Sequence, residues 1–290
     1  MKITKHDNAL ATMTIEAENK ERMEMMLMSD VHFDSTICNL PLWEEHLRIA
    51  EERQSPVLIA GDLLDAMQGK WDPRREPENL KEQYKVSAYF DALVADIVGF
   101  LSQYDIPAFI LGMGNHESSV LRHNGTDLLS NVAYRLRVEH QKPAINAGYW
   151  GYLKIQFEYK NGGASGNKIL YWHHGISTNA KVTKGTIQIN RQSVYLYAPD
   201  IVLNGHSHDA YAIPQQVERL NRRTMRLYTE PVWYIRTAGY KKSASEAKAV
   251  VGYGAERHRA PKPNGCAILG LNYSHSKNDE VTLDVQQVVV

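Results

Sequence analysis

Five short apolar runs, each ending in imidazole, carboxylate or amide side chains, constrain this chain more than any other feature. They are Met23–Met28, Val57–Ala60, Ala108–Met113, Ile169–Trp172 and Asp200–Leu203. Each has strand length, and several end near glycine, so they are expected to be buried strands. The first is followed by Asp30 and His32 (SDVHFD), the second by Asp62 and Asp65 (AGDLLD), the third by Asn115, His116 and Glu117 (MGNHES). The fourth leads into His173 and His174 (WHHG), and the fifth into His206 and His208 (NGHSH).

Helical patterns lie between the runs. Leu42–Gln54 carries Leu42, His46, Leu47 and Ala50 at helical spacing. Tyr84, Ala88, Ala92, Leu93, Ile97, Phe100 and Leu101 mark one face of a longer helix that ends before Pro107, and Asp127–Arg137 is a third candidate. Strand–helix alternation predicts an α/β fold with a largely parallel or mixed sheet. Open α/β sheets build their sites at the carboxyl ends of strands, so the five polar clusters are expected to converge. Near the end, Cys266–Tyr273 and Val281–Val289 flank the polar turn Ser274–Glu280 and predict an antiparallel pair.

The converging residues are a metal-ligand set. Imidazole nitrogen with carboxylate and amide oxygen suits borderline divalent ions such as Mn, Fe, Zn or Co better than Ca. Asp30, His32, Asp62, Asn115, one of His173 and His174, His206 and His208 make seven ligands, too many for one tetrahedral ion. One carboxylate bridging two ions shares them, which points to a two-metal site with ions roughly 3.5–4 Å apart. In D-x-H and H-x-H the outer residues face the same side if the backbone is extended. Gly61, Gly114 and Gly205 permit tight strand-to-loop turns. Singly, these residues have plainer readings: Asp30 and Asp62 as helix N-caps, Asn115 as a turn residue, His173 and His174 as hydrogen-bonded core groups. Their joint occurrence disfavours those readings. Glu117 is read as a cap of the following helix. His123, His140, His258 and His275 match no motif and are assigned to structure or surface.

Composition narrows the rest. A chain of 290 residues with 43% hydrophobic and 23% charged residues is not mainly disordered. Its apolar runs are too short for a membrane span, and Met1–Lys20 has no apolar signal segment. Two distant cysteines, Cys38 and Cys266, fit a reducing cytoplasm rather than a disulfide framework. Zero net charge conceals an asymmetry. Residues 1–120 hold 11 Lys/Arg against 21 Asp/Glu, and residues 121–290 hold 22 against 12. An acidic, cation-binding part facing a basic, anion-holding part is one reading; two halves that attract within one fold is the other. Gly69–Asn79, Asn161–Asn167 and Arg257–Gly265 are loop-like insertions, and no interdomain linker is evident, so residues 1–290 are expected to form one domain.

In this order, D-x-H, G-D-x-x-D, G-N-H-E, H-x-G and G-H-x-H resemble the motifs of the calcineurin-like metallophosphoesterases. The resemblance spans about Met23 to His208, with weaker support towards the C-terminus. It implies a β-sandwich of mixed sheets flanked by helices, completed by strands within about residues 230–290. It also implies two divalent ions (Mn, Fe, Zn or Ni, with Mn favoured). Carried over by position, Asp30, His32 and His208 hold the first ion, Asp62 bridges, and Asn115, His173 and His206 hold the second. The H-x-G pattern favours His173, and a variant with histidine directly before glycine favours His174. His116 resembles the histidine that contacts the scissile phosphate and protonates the leaving oxygen, and Asp65 the carboxylate that orients it. The implied reaction is in-line attack of a metal-bound hydroxide on a phosphoester.

Substrate is read from departures. Protein phosphatases of the superfamily carry arginine directly after G-D-x-x-D and begin D-x-H-G, whereas this chain has GDLLDAM and DVHFD. GDLLD and GHSH look more like the phosphodiesterase and repair-nuclease branch. A looser similarity to stand-alone phosphoesterases of bacteriophages and prophages rests on Asp72–Arg75, RHNGTDL and VTKGTIQINR. The expected function is a cytoplasmic phosphodiesterase acting on a nucleotide or on DNA or RNA. The alternatives are a phosphomonoesterase and a non-catalytic metal-binding scaffold. Homo-oligomerisation is left open. Lys184 and Arg191 are the candidate substrate clamp. Arg219, Arg222, Arg223 and Arg226 are read as a solvated face; Trp71, Arg74 and Arg75, in the insertion after Asp65, are either a rim of the cleft or an ordinary surface loop.

Overall fold

Period-two alternation decides which side chains are enclosed. In strand β3 (Arg22–Met28), Met23, Met25 and Leu27 point into one apolar core while Met26 and Met28 point into another. Strands β4 (Val57–Ala60) and β5 (Phe109–Gly112) divide in the same way, with Val57, Ile59, Phe109 and Leu111 on the helix side and Leu58, Ala60 and Ile110 opposite. A sheet covered on both faces explains why β4, β5 and the last four residues of β3 are continuously apolar. The computed structural model describes residues 1–66, 79–162, 165–175, 183, 185–196, 199–242, 246, 261–275 and 279–290.

Among them, thirteen strands form two mixed sheets. Besides β3–β5, they are β1 (Lys2–Lys5), β2 (Leu10–Ala17), β6 (Ala144–Gly148), β7 (Trp150–Tyr159), β8 (Ser165–His173), β9 (Ile201–Asn204), β10 (Tyr211–Asn221), β11 (Arg226–Arg236), β12 (Gly265–Ser274) and β13 (Glu280–Val289). One sheet runs β13-β12-β3-β4-β5-β6, parallel from β3 to β6. The other runs β1-β2-β7-β8-β9-β11-β10, with β8, β9 and β11 parallel. Met13, Ile15, Leu153, Ile155 and Leu170 of the second sheet share the enclosed core with Leu27, Leu58 and Leu269 of the first, so the two sheets form a sandwich.

Helices α1 (Leu40–Glu52), α2 (Tyr89–Ser102) and α4 (Leu128–His140) cover the outer face of the first sheet through Trp43, Leu47, Leu93, Ile97, Leu129 and Val132. Pro41 lies in the first turn of α1, where its missing N–H costs nothing. Asp127 caps α4, accepting from Ser130 N at 2.9 Å. α3 (Asn115–Asn124) follows β5, and α5 (Ile187–Tyr195) lies on the second sheet, with Ile189 beside Tyr171 and Val202. No helix among the described residues is long and apolar enough to cross a membrane.

All five expected strands and the C-terminal pair form. The five are divided between the two sheets of the expected sandwich, β3, β4 and β5 in one and β8 and β9 in the other. Tyr84 belongs to a separate 3-10 turn, and α2 begins only at Tyr89. The loop expected at Asn161–Asn167 is shorter, because β8 already starts at Ser165. Most of Gly69–Asn79 and the first part of Arg257–Gly265, with Trp71, Arg74 and Arg75, lie outside the described residues.

Candidate metal centre

Each strand stops at a residue that hands the backbone to a loop, and the loops zip together. Asp30 N donates to Gly61 O at 2.9 Å and His32 N to Asp62 O at 3.0 Å, so the loops after β3 and β4 run side by side. Gly205 N donates to His174 O at 2.8 Å, joining the loops after β8 and β9. Tyr240 N donates to Asp30 O at 2.9 Å, which brings in a sixth strand end, that of β11.

The local backbone is unusual. Asp30, His32, Asp62, His206 and His208 all have φ between 52° and 71°. Non-glycine residues seldom adopt this left-handed region, and each costs roughly 1–3 kcal/mol unless its surroundings impose it. The extended D-x-H and H-x-H geometry expected from spacing is therefore not what forms. Left-handed turns at both outer residues, rather than pleat alternation, aim the side chains. Close approach is strict as well. A methyl on Gly114 would overlap Oδ1 of Asp62, and one on Gly239 would overlap Nδ1 of His208.

Three groups of ligand-capable atoms result, and His32 is common to two of them: Asp30 with His32 and His208, Asp62 with His174 and His206, and His32 with Asp65 and His116. Asp62 Oδ2 lies 3.2 Å from His174 Nε2 and 3.7 Å from His116 Nε2. His174 Nε2 is 3.1 Å from both Asn115 Oδ1 and His206 Nδ1. The structure brings in His174 and not His173. β8 is still extended at its end, so His173 projects outward like Tyr171, while His174 faces inward like Trp172. His173 stands against Tyr149 and accepts from Gly175 N at 2.9 Å.

Hydrogen bonds fix which ring nitrogens are presented. His32 Nδ1 is 2.8 Å from Asp65 Oδ1 and His174 Nδ1 is 2.9 Å from Ala60 O, so each ring turns Nε2 to the centre. His116 Nδ1 donates to the backbone carbonyl of Asp65 at 2.6 Å, while that residue's carboxylate is 3.5 Å away. Asp65 thus holds His116 mainly through its carbonyl and spends its carboxylate on His32, which differs from the role expected from its position.

Asp34, Ser29 and Lys241, not singled out in the sequence, complete the surroundings together with Glu117. Asp34 is fully buried and accepts from Asp65 N at 2.6 Å and Ala66 N at 3.0 Å, fixing the loop after β4. Its only sequence signal is that it extends D-x-H to D-x-H-x-D. Glu117 caps α3 as expected, accepting from Gly114 N at 2.8 Å, and also accepts from Leu64 N at 2.9 Å in the neighbouring loop. Ser29 donates to Asp30 Oδ2 at 2.5 Å. Lys241 approaches Asp65 Oδ1 at 3.9 Å. Arg191 is exposed on α5, and Lys184 lies outside the described residues. Arg222, Arg223 and Arg226 are exposed at the β10–β11 turn, as a solvated face requires.

Electrostatics favour a cation. Asp30, Asp34, Asp62, Asp65 and Glu117 are all buried. Burial, with the Asp62 charge, pushes Glu117 up to about 7, and burial also raises Asp34. Burial opposes ionisation of Asp62 too, but His116 and His174 override it and hold the carboxyl well below its usual range. Burial works against protonating His174, yet the adjoining Asp62 lifts it to about 10. Burial lowers His208 to about 4, leaving it neutral at physiological pH. His32 Nε2 and Asp30 Oδ1 are buried without a hydrogen-bond partner. Orphaned polar atoms among concentrated carboxylates fit divalent-cation ligation.

Comparison with known proteins agrees with this chemistry. Residues 23–210 match the family described as calcineurin-like phosphoesterase. No curated protein sequence matches the chain. Among solved structures, Vps29 of Chaetomium thermophilum is similar at 8% identity, covering 92% of this chain and 96% of its own, with a TM-score of 0.35. GAP50 of Plasmodium, described as the anchor in the inner membrane complex, is similar at 11% identity, covering 93% and 89%, with a TM-score of 0.41. The match over residues 23–210 takes in every strand-end loop from Asp30 to His208, and the chain belongs to the calcineurin-like phosphoesterase family.

Proposed function

We propose that this protein hydrolyses a phosphodiester, in nucleic acid or a nucleotide, at a two-cation centre. Asp30, His32 and His208 would hold one ion, Asp62 would bridge, and Asn115, His174 and His206 would hold the other. The observation that carries the reading is the pair of orphaned buried ligand atoms, His32 Nε2 and Asp30 Oδ1, beside two further groups of ligand-capable atoms. Mixed nitrogen and oxygen donors fit the borderline divalent ions from Mn to Zn, and Mn is the ion proposed. When bound, two such ions supply charge that offsets phosphoryl repulsion and acidifies water. Two buried free thiols, Cys38 and Cys266, suit a reducing cytoplasm.

The chain's own groups handle proton and substrate. With Nδ1 donating to Asp65 O, His116 has Nε2 as its working nitrogen. A protonated Nε2 can donate to the departing oxygen, typically worth 10²–10⁴-fold. Asp62 receives His116 N at 3.0 Å, so the bridging carboxylate also fixes the first turn of α3. Ala66 follows Asp65 where phosphatases of the superfamily carry arginine. A phosphodiester bears one charge and needs less cationic clamping than a monoester dianion, which supports the diester.

Turnover of bis-p-nitrophenyl phosphate and p-nitrophenyl phosphate with Mn, Zn, Mg and Ni tests the proposal. The diester is expected to be favoured, and His116→Ala and Asp62→Asn each to lower kcat at least about 10²-fold. Preference for the monoester would replace the reading with a phosphomonoesterase, and an inert but metal-loaded protein with a scaffold.

A further inference from the structure

One buried charge has no part in the proposed reaction. Arg236, the last residue of β11, has 0% exposure, and its partners among the described residues are neutral. Nη1 donates to Ser207 Oγ at 2.9 Å and Nη2 to Gln188 Oε1 at 2.6 Å, while the guanidinium carbon lies 5.3 Å from the Tyr211 ring centre. Nε is buried without a hydrogen-bond partner. Burying a guanidinium without a carboxylate costs several kcal/mol, so simple packing does not account for arginine here.

The partners explain the choice. Ser207 stands between His206 and His208, one candidate ligand of each ion. Gln188 lies on α5, which precedes β9 in the chain. Gln192 of the same helix and Asn204 at the end of β9 exchange hydrogen bonds of 3.0 Å in both directions, and Gln188 Nε2 donates to Asn204 at 3.3 Å. Gln188, Gln192 and Asn204 are all at most 5% exposed. Asn204 also pairs with Arg236 in the β9–β11 register. One planar fork therefore holds a ligand-bearing loop with one nitrogen and a helix with the other. A lysine offers no such fork.

We propose that Arg236 is a positioning residue that couples the His206–Ser207–His208 loop to α5, so that cation binding and ordering of α5 reinforce each other. The proposal rests on the two-cation reading. If His206 and His208 bind an ion, the loop becomes fixed, Ser207 holds the guanidinium, and the guanidinium holds Gln188.

The test uses the full chain, Mn²⁺ alone as probe, and the variants Arg236→Met and Ser207→Ala. Mn²⁺ affinity is read from free-ion titration by electron paramagnetic resonance, and α5 order from hydrogen exchange of peptides covering residues 187–196. In the wild type, Mn²⁺ is expected to slow exchange in that segment. Arg236→Met is expected to weaken Mn²⁺ binding several-fold, through the loop that carries His206 and His208, and to abolish the exchange response. Ser207→Ala keeps the guanidinium and its bond to Gln188, and is expected to reduce the response as well, so the test stands even where Arg236→Met does not fold. Equal Mn²⁺ affinity and an equal exchange response in wild type and variants would overturn the coupling. A merely structural arginine would lower the melting temperature of the metal-free protein and leave both readouts unchanged. A wild type that takes up no Mn²⁺ would instead overturn the two-cation reading, and the coupling with it.

Discussion

Adjacent histidines 173 and 174 differ only in which way the chain is facing when β8 ends. His174 Nε2 sits 3.2 Å from Asp62, and His173 packs on Tyr149. His174→Ala is therefore expected to lower Mn²⁺ affinity at least about 10-fold, and His173→Ala to leave it within about twofold, measured by titration. No spacing rule separates the two, because H-x-G and H-G are both compatible with the sequence; the strand must be phased against Tyr171 and Trp172 first. Asp30, His32, Asp62, Asn115, His206 and His208 were legible because each follows an apolar run at once. Asp34, Ser29 and Arg236 were not, since a buried polar residue is recognisable only through partners that are distant in sequence. The left-handed backbone at five of the gathered residues had no sequence signal either, for none of the five is glycine.

Elements with a single clear period were equally legible. β4 lies where its apolar run lies, and α4 begins at its Asp127 cap. β10 and β11 were missed. Only Trp233–Arg236 of β11 pair with β9, and the rest is a two-stranded arm whose exposed residues follow no apolar alternation. The end of α4 gives a clean test. Gln141 is exposed with φ 55°, where glycine pays no Cβ penalty. Gln141→Gly is expected to stabilise the protein by about 0.5–1 kcal/mol in thermal denaturation. A second test concerns the join of β3, β12 and β13. Arg22 donates to Asp284 at 2.9 Å, to Glu24 at 3.0 Å and to Asn272 at 3.0 Å. The Arg22 hydrogen bond lowers Asp284 below its ordinary value; Glu24 is also lowered, because Arg53 and Arg22 outweigh its partial burial. Depressed carboxylates bind fewer protons folded than unfolded, so their stabilisation is present above the unfolded pKa near 4 and is lost as pH falls through the lower folded values. Arg22→Ala is expected to cost less than about 1 kcal/mol at pH 7, because the group is half-exposed, and to flatten the acid limb of a stability–pH curve.

Across the whole molecule, the centre straddles the two sheets. β3, β4 and β5 deliver Asp30, His32, Asp62 and Asn115, while β8 and β9 deliver His174, His206 and His208 from the other side. We propose that residues 1–290 unfold as one unit, for the shared core and the centre both bridge the sheets. A single calorimetric transition is expected, shifted upward by Mn²⁺ and back by a chelator. At 100-fold the Kd the gain is about 2.7 kcal/mol, several degrees for a chain of this size. Asp30 is where this matters most. Its Oδ2 receives His206 N at 2.8 Å, its backbone carbonyl receives Tyr240 N, and its backbone amide reaches Gly61 O. Reactivity and cohesion are thus vested in the same few atoms. A substitution at this aspartate is expected to loosen the join between the strand-end loops as well as remove a candidate ligand, read as a lower melting temperature of the metal-free protein.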